Sequence, residues 1–268
     1  MTALADRTIA ALRSNQDDLA TRVRGFDISD LERPSGAAEW DVAQVLSHLG
    51  SGAEIGLAAL RRGIAGEPAP DHDFNHSVWD RWNGMTAQQK ADGFLVAGEE
   101  LVAAYEALDA SARDDLRVSL SFLPAPASVE LLAAMRLNEA VMHSWDVRVA
   151  FDPGATLSDE EADVLLEQFT GPLAFLVGYL GRPAILDGSQ VRLRVDSLTG
   201  EGNLGVLITD KVSLGEAPPE IDGVLTAAPE ALLRLLAGRL SAEHTPTTVE
   251  LRSDAVILAQ LRDVFPGI

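Results

Sequence analysis

The segment Arg136-Leu137-Asn138-Glu139-Ala140-Val141-Met142-His143-Ser144-Trp145-Asp146 places a carboxylate four residues before an imidazole. Positions i and i+4 of a helix lie above one another on one face, so Glu139 and His143 can converge on a single point. A further imidazole, His48, lies in Trp40-Asp41-Val42-Ala43-Gln44-Val45-Leu46-Ser47-His48-Leu49. Two imidazoles and one carboxylate form a donor set that holds zinc and its first-row neighbours while leaving coordination positions open. By itself Glu-x-x-x-His is a weak signal, because the same spacing makes an exposed i,i+4 hydrogen bond or a satisfied core histidine. Two details favour a metal. Glu139 lies among apolar residues, where an unpaired carboxylate is costly, and His48 sits on the apolar side of its segment near Val45 and Leu49.

Helices must position these groups. Apolar residues recur at helical spacing over 8–23 (Ile9, Leu12, Leu19, Val23), 41–63 (Val42, Val45, Leu46, Leu49, Leu57, Leu60), 87–108 (Phe94, Leu101, Val102, Tyr105) and 128–150 (Leu131, Met135, Leu137, Val141). Four such helices joined by loops predict a four-helix bundle, whose core commonly hosts metal ligands projecting inward. Asp152-Pro153-Gly154 then marks a boundary, dividing the chain into domains 1–152 and 153–268. Ser158-Asp159-Glu160-Glu161 has the capping-box pattern and opens a helix read as running to Leu180 and stopping at Gly181. Beyond it the period falls to two: Val191, Leu193 and Val195 alternate with Arg192 and Arg194. A turn through Thr199-Gly200-Glu201-Gly202-Asn203 leads to strands over 204–209, 212–214, 224–226 and 247–252. Helices are expected over 230–237 and 254–265. The fold class is therefore α+β in two domains, a helical bundle followed by a smaller antiparallel sheet with helices on one side.

Composition narrows the chemistry. Hydrophobic residues make up 47% of the 268, enough for sizeable cores. The chain has no cysteine, so disulfides, thiolate ligands and a cysteine nucleophile are excluded, and any thiol chemistry needs a thiol from outside. Lys and Arg number 21 against 41 Asp and Glu, a net charge of −20 that repels phosphate backbones and anionic lipids. No nucleic-acid or membrane partner is expected. The first residues lack a secretion pattern and no apolar run is long enough to span a bilayer, so a cytoplasmic location is expected.

The two histidine-bearing segments resemble the signatures of the mycothiol-dependent maleylpyruvate isomerase family, part of the DinB-like group of metal-binding bundles. Residues 40–49 match its first helix motif, which opens on Trp and closes on His-Leu. Residues 136–150 match its second, an Arg-x-x-Glu-x-x-x-His-x-Trp-Asp pattern ending in Arg148 and Ala150. Phe74-Asn75, read as part of a connecting loop, resembles a further element, and Leu236-Ala237-Gly238-Arg239-Leu240 resembles a recurring segment before the last strand. The resemblance covers most of the chain. It implies a DinB-like four-helix bundle followed by a sterol-carrier-like α+β domain, zinc on His48, Glu139 and His143, and mycothiol, a small thiol, as cofactor. It further implies that the thiolate adds to the cis double bond of maleylpyruvate, the carbon–carbon bond rotates, and elimination returns the trans product. The residues themselves do not choose zinc over another divalent metal.

Other candidates are weighed the same way. Arg239 is either a cation favoured near a helix C-terminus or, as the resemblance implies, a catalytic arginine gripping a substrate carboxylate. Asp71-His72-Asp73 with His76 has the look of a metal cluster, but flanking Pro68 and Pro70 favour a solvated loop. Asp146 can orient His143 from behind, or pair with Arg136 or Arg148. Trp79, Trp82 and Trp145 are core or pocket-lining residues, and His244, beside Pro246, carries no case. The expected partners are a small electrophilic substrate and a low-molecular-weight thiol, with the protein a monomer or homodimer. A thiol-using isomerase or transferase is the first reading. The alternatives are a zinc-dependent hydrolase and a non-catalytic small-molecule-binding module with a structural metal.

Overall fold

The computed structural model describes residues 4–120, 122–197 and 203–267. The chain divides into two compact units, Met1–Ala155 and Thr156–Ile268. Among the described residues no helix is long and apolar enough to cross a membrane.

The first unit is helical. α1 (Leu4–Val23) leads through a short α2 (Ile28–Leu31) to α3 (Val42–Ile64). A reciprocal cap starts α3: Asp41 Oδ1 accepts from the Gln44 amide at 2.7 Å, and Gln44 Oε1 accepts from the Asp41 amide at 2.9 Å. After α4 (His72–Asn83), Thr86 and Gln89 form the same box at the start of α5 (Ala87–Glu106). α6 (Ala110–Asp115) and a two-strand ribbon, β1 (Arg117–Val118) with β2 (Ala127–Ser128), deliver the chain to α7 (Val129–Val149). Ser128 caps α7 by accepting from the Leu131 amide at 3.1 Å. The four long helices α1, α3, α5 and α7 form the expected bundle, with α3 packed on α5 and α1 on α7. Leu19, Leu46, Leu49, Phe94 and Val147 meet in the core between them.

α4 departs from the expectation of a solvated loop. Asp71 accepts from the Phe74 amide at 2.9 Å and caps a full helix, so His72, Phe74, Asn75 and His76 are all helical. Only Val78 and Trp82 of α4 are buried, which leaves too thin an apolar stripe to read from periodicity. Trp82 fills a notch made by two glycines. A Cβ at Gly50 would stand 2.1 Å from its ring, and one at Gly93 2.8 Å. The indole N–H donates to Glu54 Oε2 at 3.0 Å, which ties α4 to α3.

In the second unit the expected helix to Leu180 is two. α8 (Asp159–Thr170) ends at Gly171 and α9 (Ala174–Leu180) follows. Pro172 has no N–H to donate and disfavours helical backbone at the residue before it, and Gly171 turns the chain at φ −124°, ψ −119°. A 3₁₀ turn (Pro183–Leu186) precedes β3 (Val191–Ser197), β4 (Leu204–Ile208), β5 (Val212–Glu216), β6 (Gly223–Ala227), α10 (Pro229–Leu236), β7 (Glu250–Ser253) and α11 (Leu258–Val264). The turn expected at Thr199–Asn203 lies, up to Gly202, outside the described residues. The sheet order is β5-β4-β3-β6-β7. β3 pairs antiparallel with β4 (Val191 opposite Ile208), but parallel with β6 (Val195 opposite Leu225). The sheet is thus mixed rather than wholly antiparallel. Pro218 and Pro219 cannot extend the ladder after β5, and the chain crosses to the far side of β3 instead of forming another hairpin. The alternation read from sequence holds: Val191, Leu193 and Val195 are buried, and Arg192 turns away to a bidentate pair with Asp222. α10 carries a buried pair, in which Arg234 donates to both Glu230 oxygens and to the His244 carbonyl. His244 serves that packing through its backbone.

The glycines of α3 generate a stability test. Gly50→Ala is expected to cost about 1–3 kcal/mol by driving a methyl group into Trp82. At Gly56, a Cβ would meet only Leu101 at an ordinary 3.6 Å. Gly56→Ala should therefore stabilise by up to about 1 kcal/mol through helix propensity. Denaturant midpoints of the two variants should move in opposite directions from wild type.

Candidate metal centre

α3 supplies His48 from its second turn, and α7 supplies Glu139 and His143 from successive turns of one face. The helices bring the three groups together. His48 Nε2 lies 3.0 Å from Glu139 Oε2, and His143 Nε2 lies 3.7 Å from the same oxygen. The imidazole centroids are 4.6 Å apart, and one ligand atom from each residue falls within 4.8 Å of the other two. Tetrahedral zinc, with bonds of about 2.0–2.2 Å, needs ligand atoms roughly 3.3–3.6 Å apart. Small side-chain rotations cover the difference.

His143 is already oriented for such a role. Its Nδ1 lies 2.8 Å from Oδ2 of Asp146, whose side chain is fully buried. A carboxylate accepts, so Nδ1 carries the hydrogen and the Nε2 lone pair points to the cluster. The pairing of Asp146 with His143 is present, and Arg136 reaches across to α3. Its Nη2 donates to the Leu49 carbonyl on α3 at 2.9 Å. Burial holds the Arg136 guanidinium below its ordinary value, against the opposing charge of Glu139.

Glu139, expected among apolar residues, is partly exposed. Its side chain keeps 47% exposure and that of His48 40%, whereas His143 keeps 14%. The cluster therefore reaches the surface on the side of His48 and Glu139. Desolvation pushes the Glu139 carboxyl up. The hydrogen bond from His48, with the neighbouring imidazoles and the charge of Arg136, outweighs it and holds the group at about 2. Glu139 is therefore an anion across the working pH range.

The segment before α3 completes the surroundings. Trp40 places its ring 5.4 Å from the His48 ring and 6.0 Å from that of His143. Glu39, just before it, has φ +64°, a left-handed conformation uncommon outside glycine, and this turn aims Trp40 at the site. Ser35 holds the turn closed, its amide and hydroxyl both donating to the Trp40 carbonyl at 2.9 Å. Gly36 lies hard against α7. Its amide donates to the Asp146 carbonyl at 2.8 Å, and a Cβ there would stand 3.1 Å from Asp146 Oδ1 and 2.6 Å from Val149. Trp40, Gly36 and Arg136 were not singled out for these places by sequence. The signal for Trp40 and for Arg136 was their place as the opening residues of the two family-like motifs.

Of the aromatic candidates, Trp82 and Trp145 are core residues, the latter donating to the Ala155 carbonyl at 2.8 Å. Trp79 is exposed on α4. Arg239 belongs to the second unit. It follows the left-handed Gly238 (φ +73°) beyond the end of α10, is partly buried, and donates from Nη1 to the Ala237 carbonyl at 2.9 Å. His72 and His76 face each other on α4, with Nε2 atoms 3.0 Å apart.

Comparison with known proteins agrees with this architecture. No curated protein matches the sequence. The crystal structure of the mycothiol-dependent maleylpyruvate isomerase superposes with a TM-score of 0.63 at 14% identity, over 94% of this chain and 95% of that one. A structure of a histidine-to-alanine mutant of the same isomerase aligns with the same score, identity and coverage. At that identity the likeness establishes the shared fold, a helical domain followed by a small sheet domain. The sequence profile described as "Mycothiol maleylpyruvate isomerase N-terminal domain" matches residues 12–148, slightly more than half of the chain. The match spans His48, Glu139 and His143, and the chain belongs to the mycothiol maleylpyruvate isomerase family.

Proposed function

We propose that His48, Glu139 and His143 bind a divalent metal, zinc before others, and that the protein is a mycothiol-dependent isomerase or thiol transferase. Its substrate on this reading is a small electrophile bearing a carboxylate, of the maleylpyruvate type. The observation that carries the proposal is the meeting of two imidazoles and an acid from different helices, with a buried carboxylate behind one of them. A metal held there would lower the pKa of a coordinated thiol and supply a thiolate at neutral pH. The thiol must come from outside, since the chain has no cysteine.

The chain's own residues set the conditions. Glu139 contributes a fixed negative charge, and Asp146 keeps His143 in the tautomer that presents Nε2. Trp40 supplies an apolar wall beside both imidazoles. Arg239, a planar cation suited to bidentate pairing, is proposed to hold the substrate carboxylate and to offset charge that develops on an enolate.

The purified protein is expected to carry about one equivalent of zinc, measured by elemental analysis, and to lose it in His48→Ala and in His143→Ala. Asp146→Asn keeps all three ligands but weakens orientation, and should reduce zinc affinity by roughly 10–100-fold. Protons compete with a metal for its ligand atoms, so metal affinity is expected to fall with decreasing pH, as a zinc titration at several pH values would show. Saturable mycothiol binding to the zinc-loaded protein together with turnover of maleylpyruvate establishes the isomerase. Thiol binding without turnover points to a transferase on another electrophile. Absence of both refutes the thiol-dependent reading and leaves a hydrolase or a binding module.

A further inference from the structure

The second pair of histidines lies outside the cluster described above. His72 and His76 occupy the first turns of α4, one helical turn apart, and both are exposed. Their Nε2 atoms are 3.0 Å apart and their ring centroids 4.1 Å apart, at an interplanar angle of 61°. With metal–nitrogen bonds of about 2.0–2.1 Å, two nitrogens in adjacent positions at a right angle stand roughly 2.9 Å apart. A tetrahedral angle would need roughly 3.3–3.4 Å. The observed spacing is nearer that of neighbouring positions in a square or octahedral shell, and small side-chain rotations also reach the tetrahedral value. Mutual hydrogen bonding in water is the competing account of this proximity, and it offers an exposed pair little net stabilisation.

Three features support a chelating pair. The edge of Trp79 packs on His76, with centroids 5.2 Å apart at 83°, which restricts the ring. Asp71, the cap of α4, and Asp73 and Asp80 within it are near the pair in sequence, in a chain of net charge −20 that draws cations. Among the described residues no third histidine or carboxylate ligand atom joins the two within 4.8 Å, so water would complete the shell. The pair is also separate from the first cluster. Trp82 packs over Gly50, two residues from His48, and His72 lies ten residues earlier in α4, about 15 Å along its axis.

We propose that His72 and His76 form a second, surface metal site for a late first-row divalent ion with square or octahedral preference, of the nickel(II) or copper(II) class. The test is a calorimetric titration of the zinc-loaded, full-length protein with nickel(II), with tryptophan fluorescence and retained zinc followed in parallel. One further equivalent of nickel is expected, accompanied by quenching and without loss of zinc. His72→Ala and His76→Ala should each lower nickel affinity at least tenfold and leave zinc content and far-UV circular dichroism unchanged. Trp79→Phe should bind nickel but lose most of the quenching. The proposal is overturned if wild type binds no further equivalent, or if the further equivalent survives with undiminished affinity in both histidine variants.

Discussion

The bond of 2.8 Å between His143 and the buried Asp146 organises the candidate centre. A carboxylate without solvent must be met by donors, and the imidazole N–H is one of them. In meeting that demand His143 fixes its own tautomer and ring plane, so its free nitrogen is aimed before any ligand arrives. The surroundings follow from this pairing. Gly36 must lack a side chain because Val149, with Asp146 beside it, occupies the space a methyl group would need. The segment from Gly36 to the Asp41 cap then has few paths open to it, and the left-handed turn at Glu39 lays Trp40 over both imidazoles.

The bundle contributes rigidity at the two helices that count. α3 and α7 are each long, capped at their N-termini and buried along one face, so His48 and His143 extend from backbone that packing immobilises. Arg136 adds a cross-link, donating from α7 to the Leu49 carbonyl beside His48. Its charge also favours the ionised form of Glu139. The site can then remain partly exposed without losing its geometry, a combination that suits a centre taking ligands from solution.

Long amphipathic helices, caps and strand alternation were legible because each is a local matter. Ser158 with Glu161, and Val191 with Leu193, lie within a few residues of the partners that define their roles. α4 was not legible, because its apolar contribution is two residues and its stability comes from the Trp82 notch across Gly50 and Gly93. The break at Gly171-Pro172 is written in the sequence, but the apolar period on either side runs across it and masks it. The parallel pairing of β3 with β6 was hidden for a different reason. Alternation tells which face of a strand is buried, not which neighbour it takes or in which direction.

The amino-acid sequence by itself determined that Glu139 and His143 share a helical face, since i and i+4 coincide in any α-helix, and the resemblance in its two motifs added His48. Tertiary structure alone decided that His48 meets them across 91 residues. It also decided that Glu139 reaches the surface rather than lying in the core, and that Trp40, not Trp79 or Trp82, forms the wall. The physical reason is that helical periodicity is set by backbone geometry within a turn. Convergence between helices depends on how side-chain volumes interlock, and no local pattern encodes that.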